Sequence, residues 1–159
     1  MSLSDSQLER YARQVIIPGL GADGQERLLA SRVLVLGRDD QQAAASDYLC
    51  RAGVTTTEAF EENVDCTVIC DVGAVSDEEL AALGLLGSPL IWYTLAGRKL
   101  TTGRLRNFDG MRPSALDPPK TDDYDPALGS LAACDAAASA IALLLNWDQP
   151  DTIQEHHLA

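Results

Sequence analysis

VLVLGRDDQQAAASDYLCRAGV, residues 33–54, is the stretch whose reading decides the fold. Val33, Leu34, Val35 and Leu36 run without a polar interruption, as a strand covered on both faces does. Gly37 closes that run. Residues 43–52 carry the small-residue pattern of a helix, and Gly53 stands where a helix stop is expected. Between them lies Gly37-Arg38-Asp39-Asp40-Gln41-Gln42, which reads as a tight loop. Strand, loop and helix form the opening unit of a nucleotide-binding α/β sheet. In such units glycines let backbone N–H groups approach a phosphate at the helix N-terminus. Here one glycine remains and two carboxylates have entered. The scaffold reads as present and the phosphate site as spoiled.

The chain has 159 residues, enough for one domain with a real core, and 46% of them are apolar. Its net charge of −12 argues against nucleic acid, because no basic surplus exists to displace phosphate counterions. The same balance disfavours an anionic membrane surface. The sequence contains no run of 18 apolar residues and the first residues are polar, so the expected location is cytoplasmic. Cys50, Cys66, Cys70 and Cys134 are scattered, with no C-x-x-C pair to suggest zinc. Cys66 and Cys70 sit four apart in a strand-like segment, about 13 Å when extended, too far for a bridge. All four read as buried thiols.

Before residue 33, Ser4 with Gln7 three residues on makes a capping box. Leu8, Tyr11, Ala12 and Val15 then recur at helical spacing, with Arg10 and Arg13 on a shared face. Pro18 and Gly19 stop that helix, and a shorter one runs from about residue 23 to 29. After Gly53, residues 55–60 and 64–71 read as two strands in quick succession. Ser76 opens an acidic helix that runs to Leu86. Residues 89–96 and 100–108 read as a strand pair joined at Gly97-Arg98-Lys99. Arg98, Lys99, Arg104 and Arg106 gather there, as solvated edge charges or as a partner-contact strip. Residues 111–126 form a loop with four prolines. Residues 128–145 form the last helix, with Leu131, Cys134, Ala138, Ile141 and Leu145 as its apolar stripe. Residues 149–159 read as a tail in which His156 and His157 are exposed.

The stretch LSDSQLERYARQVIIPGLGADGQERLLASRVLVLG, residues 3–37, resembles the N-terminus of the MoeB/ThiF/E1 family. These enzymes adenylate the C-terminus of ubiquitin-like sulfur carrier proteins. The carrying residues are Arg10-Tyr11-x-Arg13-Gln14, Gly24-Gln25-Glu26 and the run from Ser31 to Gly37. They continue without a gap through Ala44, Ser46, Tyr48-Leu49 and Ala52-Gly53-Val54. The resemblance implies a fold of the α/β class: a Rossmann-like, mostly parallel sheet with an antiparallel strand pair at one end, a shortened E1-like (ThiF) fold. The expected layout is one domain over residues 1–148, with a helical arm at 4–30.

Set against the family's G-x-G-G-x-G loop, Asp39, Asp40 and Gln42 occupy three glycine positions beside the retained Gly37. Each adds a Cβ where the backbone should approach a phosphate. A carboxylate about 4 Å from a phosphate charge, at an effective dielectric near 20, costs on the order of 4 kcal/mol. An Mg²⁺ ion held by Asp39 and Asp40 would reduce that cost. The segment that in the family supplies the ribose-binding acid and triphosphate cations has no counterpart between the strands at 55–60 and 64–71. The family's D-C-T-D, whose last Asp helps hold Mg²⁺, falls on Ile69-Cys70-Asp71-Val72; Asp71 is one residue out of place, so it reads as a coincidental strand-end acid or as the one metal candidate, and no metal is expected. The resemblance also implies dimers in which an arginine at the position of Arg13 reaches the neighbour's triphosphate.

The expected function is therefore that of a degenerate ThiF/MoeB-like protein without its own adenylation activity. It would act as a dimeric subunit or partner in a ubiquitin-like or sulfur-carrier activation pathway. Arg10 and Arg13 are the candidate trans-acting residues; their alternative role is to tie the N-terminal helix to its own domain by salt bridges. No cofactor is expected, or ATP with Mg²⁺ if the loop still works. The partner is a second copy or an E1-like subunit, and a carrier protein. The competing readings are an adenylyltransferase with an atypical phosphate loop and a non-enzymatic homodimeric scaffold.

Overall fold

In the computed structural model the described residues are 3–60, 63–97, 99–106, 108, 125–147 and 153–157. The elements in chain order are α1 (Asp5–Val15), α2 (Gly21–Ala30), β1 (Arg32–Gly37), α3 (Asp39–Ala52), β2 (Thr55–Thr57) and β3 (Cys66–Cys70). A 3₁₀ turn (Val72–Ala74) then precedes α4 (Asp77–Leu86), β4 (Leu90–Ala96), β5 (Lys99–Leu105), α5 (Pro126–Leu144) and β6 (Ile153–His157). The strands form one six-stranded sheet in the order β2-β1-β3-β4-β5-β6. The first four are parallel; β5 and β6 add antiparallel.

Alternation along β1, β3 and β4 divides the core in two. Val33, Val35, Val68, Ile91 and Tyr93 point to the face covered by α3 and α5. Leu34, Leu36, Ile69, Leu90 and Trp92 point to the opposite face, with Val72, Leu80, Leu83 and Phe108. Coverage on both faces explains why these strands read as unbroken apolar runs.

The N-terminal arm begins with the expected capping box, in which Gln7 N–H donates to Ser4 Oγ at 3.3 Å and Ser4 N–H to Gln7 Oε1 at 2.9 Å. The arm is fastened by two glutamines. Gln14 Nε2 donates to Arg51 O at 3.0 Å and Gln25 Nε2 donates to Ala52 O at 2.8 Å. These are among the last carbonyls of α3, which have no partner within the helix. Gly53 ends α3 in the left-handed region at φ 97°, and a Cβ there would stand 2.9 Å from Gln25 Nε2. Two residues of the family-like motif thus serve the arm's attachment.

Three expectations change. Strand β2 stops at Thr57 instead of Phe60, and residues 153–157 of the expected tail form β6. The expected stripe of α5 faces inward only in part: Leu131 is exposed, Cys134, Ala138 and Ile141 are half-buried, and Ile141 packs on the core. The buried residues of α5 are Gly129, Ala132, Ala133, Ala136, Ala137, Ala140 and Ala142, joined beyond its end by Leu145. Alanines let α5 lie close to α3 and β3, and Leu131 is turned outward with 64% of its surface exposed, while Ile141, Leu143 and Leu144 pack at the edge of the core. The expected proline-rich loop, 111–126, lies outside the described residues up to 124; Asp125 and Pro126 cap and begin α5.

The two arm glutamines differ in burial, which ranks their importance. Gln25→Ala removes a fully buried donor and strands the Ala52 carbonyl, so urea unfolding is expected to lose about 1–3 kcal/mol. Gln14→Ala acts where water can replace the donor and is expected to lose under about 1 kcal/mol.

Candidate functional site

The crest of the sheet lies at the C-terminal ends of β1 and β3. Chain order reverses here: β1 leads to β2 on one side and β3 lies on the other. A crevice at such a reversal is where open α/β sheets bind ligands. In this chain residues from β1 and β3 meet across it. Strands β1 and β3 stay in register to their last pair, Gly37 with Cys70. A Cβ on Gly37 would lie 1.8 Å from the Cys70 carbonyl oxygen, and its φ of 131° lies in the glycine-favoured region. Arg38 N–H then donates to that same Cys70 oxygen at 3.2 Å.

Arg38 Nη2 reaches across to Asp71 Oδ2 at 2.9 Å. The Asp71 side chain is 8% exposed and that of Arg38 46%. Asp71 holds a left-handed backbone, φ 68°, which is costly for a residue with a Cβ. Its other carboxylate oxygen accepts from Gly73 N–H at 3.3 Å, starting the 3₁₀ turn. The carboxylate proposed for Mg²⁺ is therefore committed to a guanidinium and a backbone amide.

The expected phosphate loop is largely replaced by helix. Arg38 is the N-cap of α3, and Asp39 and Asp40 form its first turn. Both carboxylates are exposed at the positive end of the helix, where a bound phosphate would otherwise find favourable charge. Consecutive helical residues point about 100° apart, so these two do not converge on one ion. Among the described residues, no three of His, Cys, Asp or Glu come together as a metal-holding group. Gln42 is half-buried. Its neighbour Gln41, which sequence reasoning passed over, is fully buried and accepts a short hydrogen bond from Tyr93 Oη. Tyr93 Oη also lies 3.2 Å from Gly129 O, so the first turns of α3 and α5 are tied to β4. The signal for Gln41 was its spacing with Ala45 and Leu49, which places all three on one inward stripe.

The thiols here are inert. Burial pushes Cys66 up to about 12, with the Arg104 charge only partly offsetting it. Burial likewise pushes Cys70 up to about 12, against a lowering hydrogen bond to Tyr93. Cys50 is exposed and Cys134 half-buried, so the expectation of four buried thiols holds for two.

Arg10 and Arg13 lie on exposed α1, away from the crevice. Arg10 sits over the Tyr11 ring at 5.4 Å, and neither arginine forms an ion pair with a described residue. They do not tie the arm to its own domain. The basic residues of β5 form no continuous strip either. Lys99 pairs with Glu155 of β6 at 2.8 Å. Arg104 is buried beside Arg106 in a cleft of about 420 Å³ at the other end of the sheet. Arg98 lies outside the described residues.

No protein-family model matches the chain. Curated relatives match over a limited stretch. Molybdopterin-synthase adenylyltransferase of Escherichia coli is 52% identical over 52 residues, 33% of this chain and 21% of that enzyme. SAMP-activating enzyme E1 of Haloferax volcanii is 41% identical over 64 residues, 40% of this chain and 24% of that enzyme. Among solved structures, PaaA superposes over 99% of this chain and 75% of its own, with a TM-score of 0.65 at 13% identity. Escherichia coli MccB superposes over 94% of this chain and 69% of its own, with a TM-score of 0.60 at 11% identity. By sequence over about a third of its length the chain is similar to MoeB/ThiF/E1-type adenylyltransferases and activating enzymes, and by fold over nearly all of it to PaaA and MccB. The mostly parallel sheet with its antiparallel end is this E1-like fold, and the sequence matches span a quarter or less of these relatives' length.

Two outcomes test the geometry of the crest. Gly37→Ala is expected to cost about 3 kcal/mol or more in urea unfolding, because the methyl group must displace the Cys70 carbonyl. In the folded protein, a thiol reagent at mild pH should label Cys50 quickly, while Cys66 and Cys70 react only on unfolding. The unfolded thiols release their protons near 9.0 and the folded ones near 12. Stability should therefore be unaffected by them below pH 9 and fall as pH rises toward 12, an interval that alkaline unfolding curves can read.

Proposed function

We propose that this chain is an E1-like protein that does not adenylate. It serves as a subunit of a dimeric assembly in the activation of a ubiquitin-like or sulfur-carrier protein. The observation that carries this reading is the Arg38–Asp71 ion pair across the β1/β3 crevice. The pair uses the crevice that a nucleotide would need and the acid that Mg²⁺ would need. The carboxylates of Asp39 and Asp40 oppose a phosphate at the start of α3. The residues present do not fit ATP with Mg²⁺, so no reaction step is assigned through it. Kinship with a molybdopterin-synthase adenylyltransferase and a SAMP-activating E1 supports the pathway class. The exposed Arg10 and Arg13 support an arm that serves another subunit.

The test is thermal unfolding of the full chain with and without Mg-ATP, beside an active E1-like adenylyltransferase. Saturation at about 100 times Kd stabilises a fold by about 2.7 kcal/mol, a shift of several degrees at this size. The expected result is no shift and no ATP–pyrophosphate exchange for this chain, with both present in the comparison enzyme. A magnesium-dependent shift would overturn the reading and favour an adenylyltransferase with an atypical loop.

A further inference from the structure

The pole of the sheet opposite the crest holds the cleft of about 420 Å³ that contains Arg104 and Arg106. Strands β3 and β4 begin at this pole, β5 ends there, and the last turn of α5 forms part of the wall. Arg104 stands opposite Ile91 in the β4–β5 ladder, so both point to the face that α5 covers. Arg104 is 5% exposed, an uncommon place for a charged side chain. Leu143 and Leu144, in the last turn of α5, line the same cleft, and the negative end of a helix dipole favours a cation beside it. That explains how Arg104 tolerates burial. It explains neither the open space beside Arg104 nor the second guanidinium, exposed at Arg106.

We propose that this cleft binds a small monocarboxylate with an apolar body, its carboxylate held by Arg104 within and Arg106 at the mouth. Charge selects the ligand class. Two arginines and Asp65, the ionised groups among the described lining residues, leave a formal charge of +1. That matches one carboxylate and falls short of a phosphate dianion. Asp65 Oδ2 already accepts from Arg32 N–H at 2.9 Å, so its charge is partly met. A guanidinium presents five N–H donors in a planar fork, and a carboxylate engages two of them. Neither arginine therefore has to surrender its other contacts to take a ligand. Leu143, Leu144 and the partly exposed Trp147 ring supply the apolar wall. A concave site of this size, apolar with a few convergent polar groups, is the usual form of a small-molecule site. The cleft lies at the far end of the sheet from Arg38 and Asp71, so the proposal is independent of whether the crest takes ATP.

Tryptophan fluorescence of the full chain tests this. Trp147 lines the cleft, and the second tryptophan, Trp92, is buried on the opposite face of the sheet. Titration with hexanoate, octanoate and 4-phenylbutyrate should give a saturable change, with Kd below about 1 mM for at least one acid, and calorimetry should return the same constant. The amide of that acid keeps the apolar body and loses the charge, and should bind about tenfold more weakly or worse. Arg106→Gln should weaken the acid by a similar factor and leave urea unfolding unchanged, because the residue is exposed. Arg104→Lys keeps the buried charge without the fork and should weaken the acid as well; the Arg106 variant decides the matter if this one loses its fold. An Arg104 that served only the end of α5 would give no ligand-dependent change at Trp147. Absence of saturation with all three acids at about 10 mM, equal binding of acid and amide, full affinity in Arg106→Gln, or inorganic phosphate binding as tightly as the acids would each overturn the proposal.

Discussion

The close approach of Gly37 to the Cys70 carbonyl governs the crest of this protein. Because position 37 has no Cβ, β1 and β3 keep their register to the last residue, and Arg38 N–H continues the pairing onto Cys70 O. That places the Arg38 side chain opposite Asp71 and lets α3 begin one residue later. In a nucleotide-binding unit a glycine here opens space for phosphate. In this chain it closes a sheet, and the helix dipole it leads into meets Asp39 and Asp40. A half-exposed ion pair adds modestly to stability; its larger consequence is that Arg38 and Asp71 are committed to each other across the ends of β1 and β3.

The helical layer depends on a second constraint, the small size of the residues between α3, α5 and the sheet. Ala45, Ala133, Ala136, Ala137 and Ala140 are buried at that junction. Close packing gains many weak dispersion contacts from small groups. It also leaves Leu131 of α5 turned to solvent, with Ile141, Leu143 and Leu144 at the edge of the core. The arm is fixed separately, by Gln14 and Gln25 on the carbonyls that end α3.

Much of the fold was legible in local chemistry. The run 33–36 read as a two-sided strand because burial on both faces demands continuous apolar residues, and 89–96 read as a strand. Ser4 with Gln7, and Ser76 with Glu79, announced the helix starts through caps that involve four residues each. The candidate site was legible in part: the substitutions at Asp39, Asp40 and Gln42 stood out against a glycine pattern. Arg38 and Gln41 did not, since neither is unusual beside its sequence neighbours. Nor did β6, whose strand exists through pairing with β5, more than fifty residues away.

The sequence by itself determined the order of the elements through α5, the cap at Ser4, the doubly covered strand at 33–36 and the resemblance to E1-like proteins, because each of these is written in short-range spacing. Tertiary structure decided three things. The Arg38–Asp71 pair requires the β1–β3 register to bring residues 33 positions apart within 2.9 Å. The start of α3 at Asp39 depends on Arg38 being held by β3. The facing of α5 could not be read from its pattern, because a helix apolar on every side has no direction of its own. What oriented it was steric fit: alanines at 132, 133, 136, 137 and 140 permit the short distance to α3 and β3, and the larger residues take the edge of the contact.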